Sequence, residues 1–153
     1  MKHNENLLAQ LAACYDQNSW FVCFNEAVVD LNEQEAHWKA SESDHSVEQL
    51  VTHLLFYNER FLQRFSGKKV EELSDHYPTF EPRPNTSWIQ LKEAYREIME
   101  QWRIVIRESN EDELATWSET LSDLFLHNAY HIGQIVMIRK RQDSWSESPK
   151  VNG

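Results

Sequence analysis

Apolar residues recur every three to four positions over four long stretches of the chain, with polar residues between them. That period is helical. In the first stretch Leu7, Leu8, Leu11, Tyr15, Val22 and Val29 form a stripe that Trp20, Phe21 and Phe24 thicken, predicting one helix from about residue 4 to about residue 31. Aromatic residues so spaced read as core, although one could roof a pocket. Leu50, Leu54, Tyr57, Phe61 and Phe65 mark a second helix over 46–66. Trp88, Leu91, Tyr95, Ile98, Trp102, Val105 and Ile106 mark a third over 86–109. A fourth, over 120–142, carries Leu124, Ile135 and Ile138 on one face.

The boundaries have chemical signals. Ser46 with Gln49, and Ser87 with Gln90, have the form of capping boxes that open the second and third helices. Asn32 with Glu35 has the same form and predicts a short helical turn closed by His37 and Trp38, His37 facing water. Gly67 is placed to end the second helix in the left-handed conformation. Asn110 to Glu113 reads as a short turn within a connection over 110–119, and the tail after residue 143 as polar and frayed apart from Trp145. Gly133, inside the last helix, costs roughly 1 kcal/mol relative to Ala and suggests close approach of a neighbouring helix.

Residues 67–85 are long for a helix connection and hold Pro78, Pro82 and Pro84. Such a segment can run the length of a helix and return the chain to the same end. The second and third helices are therefore expected to be parallel. His76, on this crossover, is expected to face water. With only 3 glycines and 4 prolines in 153 residues, little turn material remains for a many-stranded sheet. The expectation is one all-α domain.

Composition narrows the partners. Lys and Arg number 15 and Asp and Glu 25, a net charge of −10, which argues against nucleic acid. No apolar run is long enough to span a membrane, and MKHNENLLAQ lacks the core of a signal peptide, so the expected location is cytoplasmic. Arg139, Lys140 and Arg141 oppose the dipole at the end of the last helix. Cys14 and Cys23 fit neither a metal knuckle nor a redox pair and read as small core residues.

Chemistry enters with the histidines. His127 and His131 lie four apart on the last helix, so both rings can reach one ion from consecutive turns. Neutral imidazole is a ligand for zinc, nickel, copper and iron. The zinc-protease pattern would need a glutamate after the first histidine, where this chain has Asn128. His53 is the candidate third ligand, because it lies beside Leu50, Leu54 and Tyr57 on an apolar stripe. Three histidines from two helices leave coordination positions open, as catalytic sites do. The competing reading is three hydrogen-bonded core histidines. Asp123, one turn before His127, could orient that ring, or could simply serve the helix terminus. Tyr57 could donate to a substrate or pack in the core. Asn128 and Gln134 are further candidates for the site.

Two segments, HWKASESDHSVEQLVTHLLFYNERFL around His53 and HNAYHIGQIVMIRKRQDSW around His127 and His131, resemble the DinB-like (DinB/YfiT-like) four-helix-bundle putative metalloenzymes. The resemblance implies an up-down-down-up bundle and a metal triad of His53, His127 and His131. It implies one divalent transition metal, zinc or nickel before others. Some members resemble transferases that pass the low-molecular-weight thiol bacillithiol to an electrophile, and related bundles include a mycothiol-dependent isomerase. The expected function is therefore a metal-dependent small-molecule transferase or hydrolase, with a homodimer as a further expectation. The alternative is a non-catalytic, metal-stabilised interaction module responding to stress.

Overall fold

A computed structural model of the chain describes residues 2–147 and 151–152. The described residues are helical, with α1 (His3–Tyr15), α2 (Phe24–Ala27), α3 (Glu33–His37), α4 (Val47–Phe65), α5 (Trp88–Glu108) and α6 (Glu111–Arg141). None of these helices is long and apolar enough to cross a membrane.

Four of them form the bundle, and side-chain contacts fix their directions. His3 meets Glu111 and Asn128 approaches Cys14, so α1 and α6 run parallel. His53 faces His127 and Phe65 packs on Trp117, so α4 and α6 are antiparallel. The Trp102 indole donates to the Asn58 carbonyl at 3.2 Å while Phe65 packs on the same indole, which aligns the C-terminal halves of α4 and α5. The topology is up-down-down-up, and the Pro-rich crossover returns the chain to the end where α4 began. Three predicted capping boxes form, at Asn32, Ser46 and Ser87. Gly67, at φ 80°, ends α4 in a Schellman motif, with Gly67 N–H donating to Arg64 O and Lys68 N–H to Gln63 O.

The first helix does not run from 4 to 31. It stops at Tyr15, and a loop follows in which the Asn18 side chain accepts from the Cys23 N–H at 3.0 Å. Asn18 competes with the helical ladder through its own side chain, which apolar spacing does not register. Trp20 is consequently 74 % exposed, outside the core that Phe24 enters. The last helix starts at Glu111, not near residue 120. Asn110, read as part of a turn, is its N-cap and accepts from Glu113 N–H at 2.9 Å. Glu111, Asp112 and Glu113 then sit favourably at the positive end of the helix dipole. Gly133 approaches no neighbouring helix, since a Cβ there would meet nothing within 4 Å. Arg139 is not a surface charge at the helix end but is buried, donating to the Ala27 carbonyl at 3.0 Å.

The core is aromatic, with Trp88, Trp102, Tyr95 and Phe24 all but fully buried. At its centre Asn58 and Asn128 exchange amide hydrogen bonds of 2.8 and 3.2 Å between α4 and α6. Replacing Asn128 with Ala leaves the Asn58 Oδ1 unpaired in a buried site, although its amide nitrogen keeps the Leu54 carbonyl, and a cost of about 1–3 kcal/mol is expected. Trp20→Ser should move stability by no more than about 0.5 kcal/mol, because the ring packs against little. Urea unfolding of the metal-free protein measures both.

Candidate metal centre

α4 and α6 place three imidazoles at one point. His53 comes from the first half of α4, and His127 and His131 come from successive turns of α6. Because the helices are antiparallel neighbours, the two apolar faces bring the rings together across the interface. His127 Nε2 lies 3.1 Å from His53 Nε2 and 3.1 Å from His131 Nε2. One nitrogen from each ring falls within 4.8 Å of the others.

The outer nitrogens of His131 and His53 are held. His131 Nδ1–H donates to Gln134 Oε1 at 2.6 Å, a tautomer that leaves Nε2 a bare lone pair facing the centre. His53 Nδ1 is joined to Thr79 Oγ1 at 2.8 Å. Thr79 belongs to the crossover, which lies across the site. Its neighbour Phe80 stacks face to face on His53 at 3.9 Å and, on its other side, on His45 at 3.9 Å. Tyr57 meets His53 and His127 edge-on.

Electrostatics keeps the rings neutral. Burial, reinforced by the neighbouring rings, pushes His53 down to about 3. Burial first and His131 second push His127 down to about 4. Burial also lowers His131, opposed by its bond to Gln134. Neutral imidazole is the ligating form. Two nitrogens bound to one ion at about 2.0–2.1 Å stand about 2.9–3.4 Å apart, for angles between octahedral and tetrahedral. Two of the three pairs, both involving His127, stand at 3.1 Å, inside that range. The third pair lies within 4.8 Å and has to close for all three rings to bind one ion; with that adjustment the donor chemistry suits a divalent transition metal, and these three histidines could hold one.

A cleft of about 510 Å³ opens beside His53 and His127 and continues between α4 and α6. Tyr57 and Asp123 line it. Asp123 is exposed there, and no hydrogen bond joins it to His127. Asn128, a candidate for the site on sequence grounds, is turned away. It is one position beyond His127, about 100° round the helix, and lies in the core amide pair. His76 is exposed, and so is His37, which pairs with Glu48 at 2.6 Å. Thr79, Phe80 and His45 were not legible as site residues. The available signal was a hydroxyl and an aromatic ring amid the charged, proline-rich crossover, and only packing shows which ring they meet.

A family model described as the DinB superfamily matches residues 24–134, well over half of the chain. That span contains all three histidines. No curated protein and no solved structure matches the chain.

Two outcomes test the centre. In the unfolded chain these histidines take up protons near pH 6.5, whereas His53 and His127 in the folded, metal-free protein resist until about 3 and 4. The unfolded state then binds more protons across that window, so stability is full above pH 6.5 and falls as the pH is lowered toward 3. His53→Ala should flatten this slope in urea titrations of metal-free protein. Thr79→Val removes the bond that orients His53 and is expected to weaken zinc binding about tenfold, read by competition with a chromogenic chelator.

Proposed function

From the premise that the chain belongs to the DinB superfamily, we propose that it is a metal-dependent enzyme acting on a small molecule at an open three-histidine site, as a transferase of a low-molecular-weight thiol or as a hydrolase. One observation carries the reading. Three neutral imidazole nitrogens converge from two helices, and a cleft large enough for a small molecule opens against two of the three rings. A purely structural site would be closed by a fourth protein ligand. Among the described residues no fourth His, Cys, Asp or Glu joins this cluster.

The chain's own groups have separable tasks. Gln134 and Thr79 fix the rings of His131 and His53 from outside. Phe80 covers the His53 face and limits water from the crossover side. Tyr57 places a phenol on the cleft wall next to both His53 and His127, where it can donate to a bound substrate. A divalent ion held there, zinc or nickel first, would supply the Lewis acidity that lowers the pKa of a thiol or water to near neutrality.

Protein purified without an affinity tag should contain about one divalent ion per chain by elemental analysis, and His53→Ala and His131→Ala should lose it. The loaded protein should consume an alkylating electrophile faster with a small thiol than without one, or hydrolyse an activated ester. Chelator should abolish the rate and zinc or nickel restore it. Metal binding without either rate would favour the non-catalytic module instead. Full metal content in both variants would overturn the site.

A further inference from the structure

The cleft beside the histidines has two ends of different chemistry. On α4 its wall is His53, Tyr57, Phe61 and Arg64, one face of the helix at intervals of four, four and three residues. On α6 the facing wall is Thr120, Asp123, Leu124 and His127. Because the helices are antiparallel, the histidines stand opposite one another at one end. Arg64 stands opposite Thr120 at the other. Phe61 and Leu124 make the stretch between them apolar.

Arg64, exposed at the rim of the cleft, differs from three of the partly covered arginines. Arg83, Arg96 and Arg103 are each neutralised by a carboxylate, at 2.6, 2.6 and 2.8 Å respectively. Among the described residues Arg64 has no carboxylate within 4.0 Å, and its guanidinium lies over the Phe61 ring, 5.2 Å from its centre. Its charge is therefore available to the cleft. A protein of net charge −10 repels small anions from its surface, so a single unpaired cation decides whether one can lodge. Asp123, nearer the histidines, disfavours a second negative charge there and confines the anion to the Arg64 end.

We infer that Arg64 recognises the anionic end of the substrate, a small acid whose carboxylate or phosphate lies one short alkyl chain from the atom presented to the histidines. This rests on the metal-site reading above. Side chains on a helix lean toward its N-terminus, so the guanidinium stands near the level of Phe61, about 12 Å along the axis from His53. Subtracting a metal–sulfur bond of about 2.3 Å and a charged hydrogen bond of about 2.8 Å leaves about 7 Å from sulfur to acid oxygen, a gap that a six-carbon chain closes with a bend and a three-carbon chain does not reach. The last turn of a helix also suits an arginine for dipole reasons alone. That role predicts no discrimination between ligands.

The test uses the full chain loaded with cobalt(II), whose thiolate charge-transfer band reports binding directly. The probes are 6-mercaptohexanoate, 6-mercaptohexyl phosphate, neutral 6-mercaptohexanol and the shorter 3-mercaptopropionate. The six-carbon acids should bind about fivefold tighter than the alcohol, the size of a partly exposed ion pair. The stronger of the two identifies the head group. Arg64→Gln should erase the preference without changing the affinity for the alcohol, and Arg64→Lys should keep part of it. The three-carbon acid should be indifferent to Arg64. Equal binding of acids and alcohol, or a preference that survives Arg64→Gln, overturns the inference and leaves the metal site standing. A cobalt spectrum unmoved by every thiol overturns the open site and the inference together.

Discussion

His127 can stand 3.1 Å from both His53 and His131 only while the rings stay neutral, because two imidazolium rings at that distance in a half-buried site would repel strongly. The packing enforces that neutrality. α4 and α6 press the rings together and remove water, and the desolvation drives their proton affinity down. The same packing turns one nitrogen of each ring toward a common centre, an arrangement that an electrophile such as a metal ion can satisfy. Much else in the structure serves this point of contact.

The bundle topology is one example. The parallel arrangement of α4 and α5 demands a long crossover, and a chain of that length has to pass over the outside of the bundle. Here it passes across His53. A segment needed for connectivity thereby contributes Thr79, which holds the ring, and Phe80, which covers it. An up-down hairpin of the same helices would leave the His53 face bare. The amide pair of Asn58 and Asn128 works from the other side. Two buried amides that bond each other across the interface resist sliding of α4 along α6, and so maintain the register that sets His53 opposite His127.

Some features of the chain were legible because their physics is local. A cap is a contact between residues three apart, so Ser46 with Gln49 and Ser87 with Gln90 could be read directly. The pairing of His127 with His131 follows from the turn of one helix. The break after Tyr15 is also local, but it depends on a polar side chain, Asn18, that bonds nearby backbone, and the aromatic run over Trp20 and Phe21 masks it. Asn110 fits a turn as well as a cap, because Glu111 to Glu113 look like loop when the dipole they face is left out.

By itself the amino-acid order determined the helical period, the caps, the long crossover and the two-histidine face of the last helix, since each is set within one segment. It also singled out His53, because a polar ring on an apolar stripe needs a partner. The tertiary structure alone decided that the three rings converge, that Asn128 turns into the core while Gln134 turns to His131, and that Thr79 reaches His53 across 26 residues of chain. These contacts join segments that share no local pattern. Their distances depend on how two helices and a loop dock, and docking is set by the whole core at once.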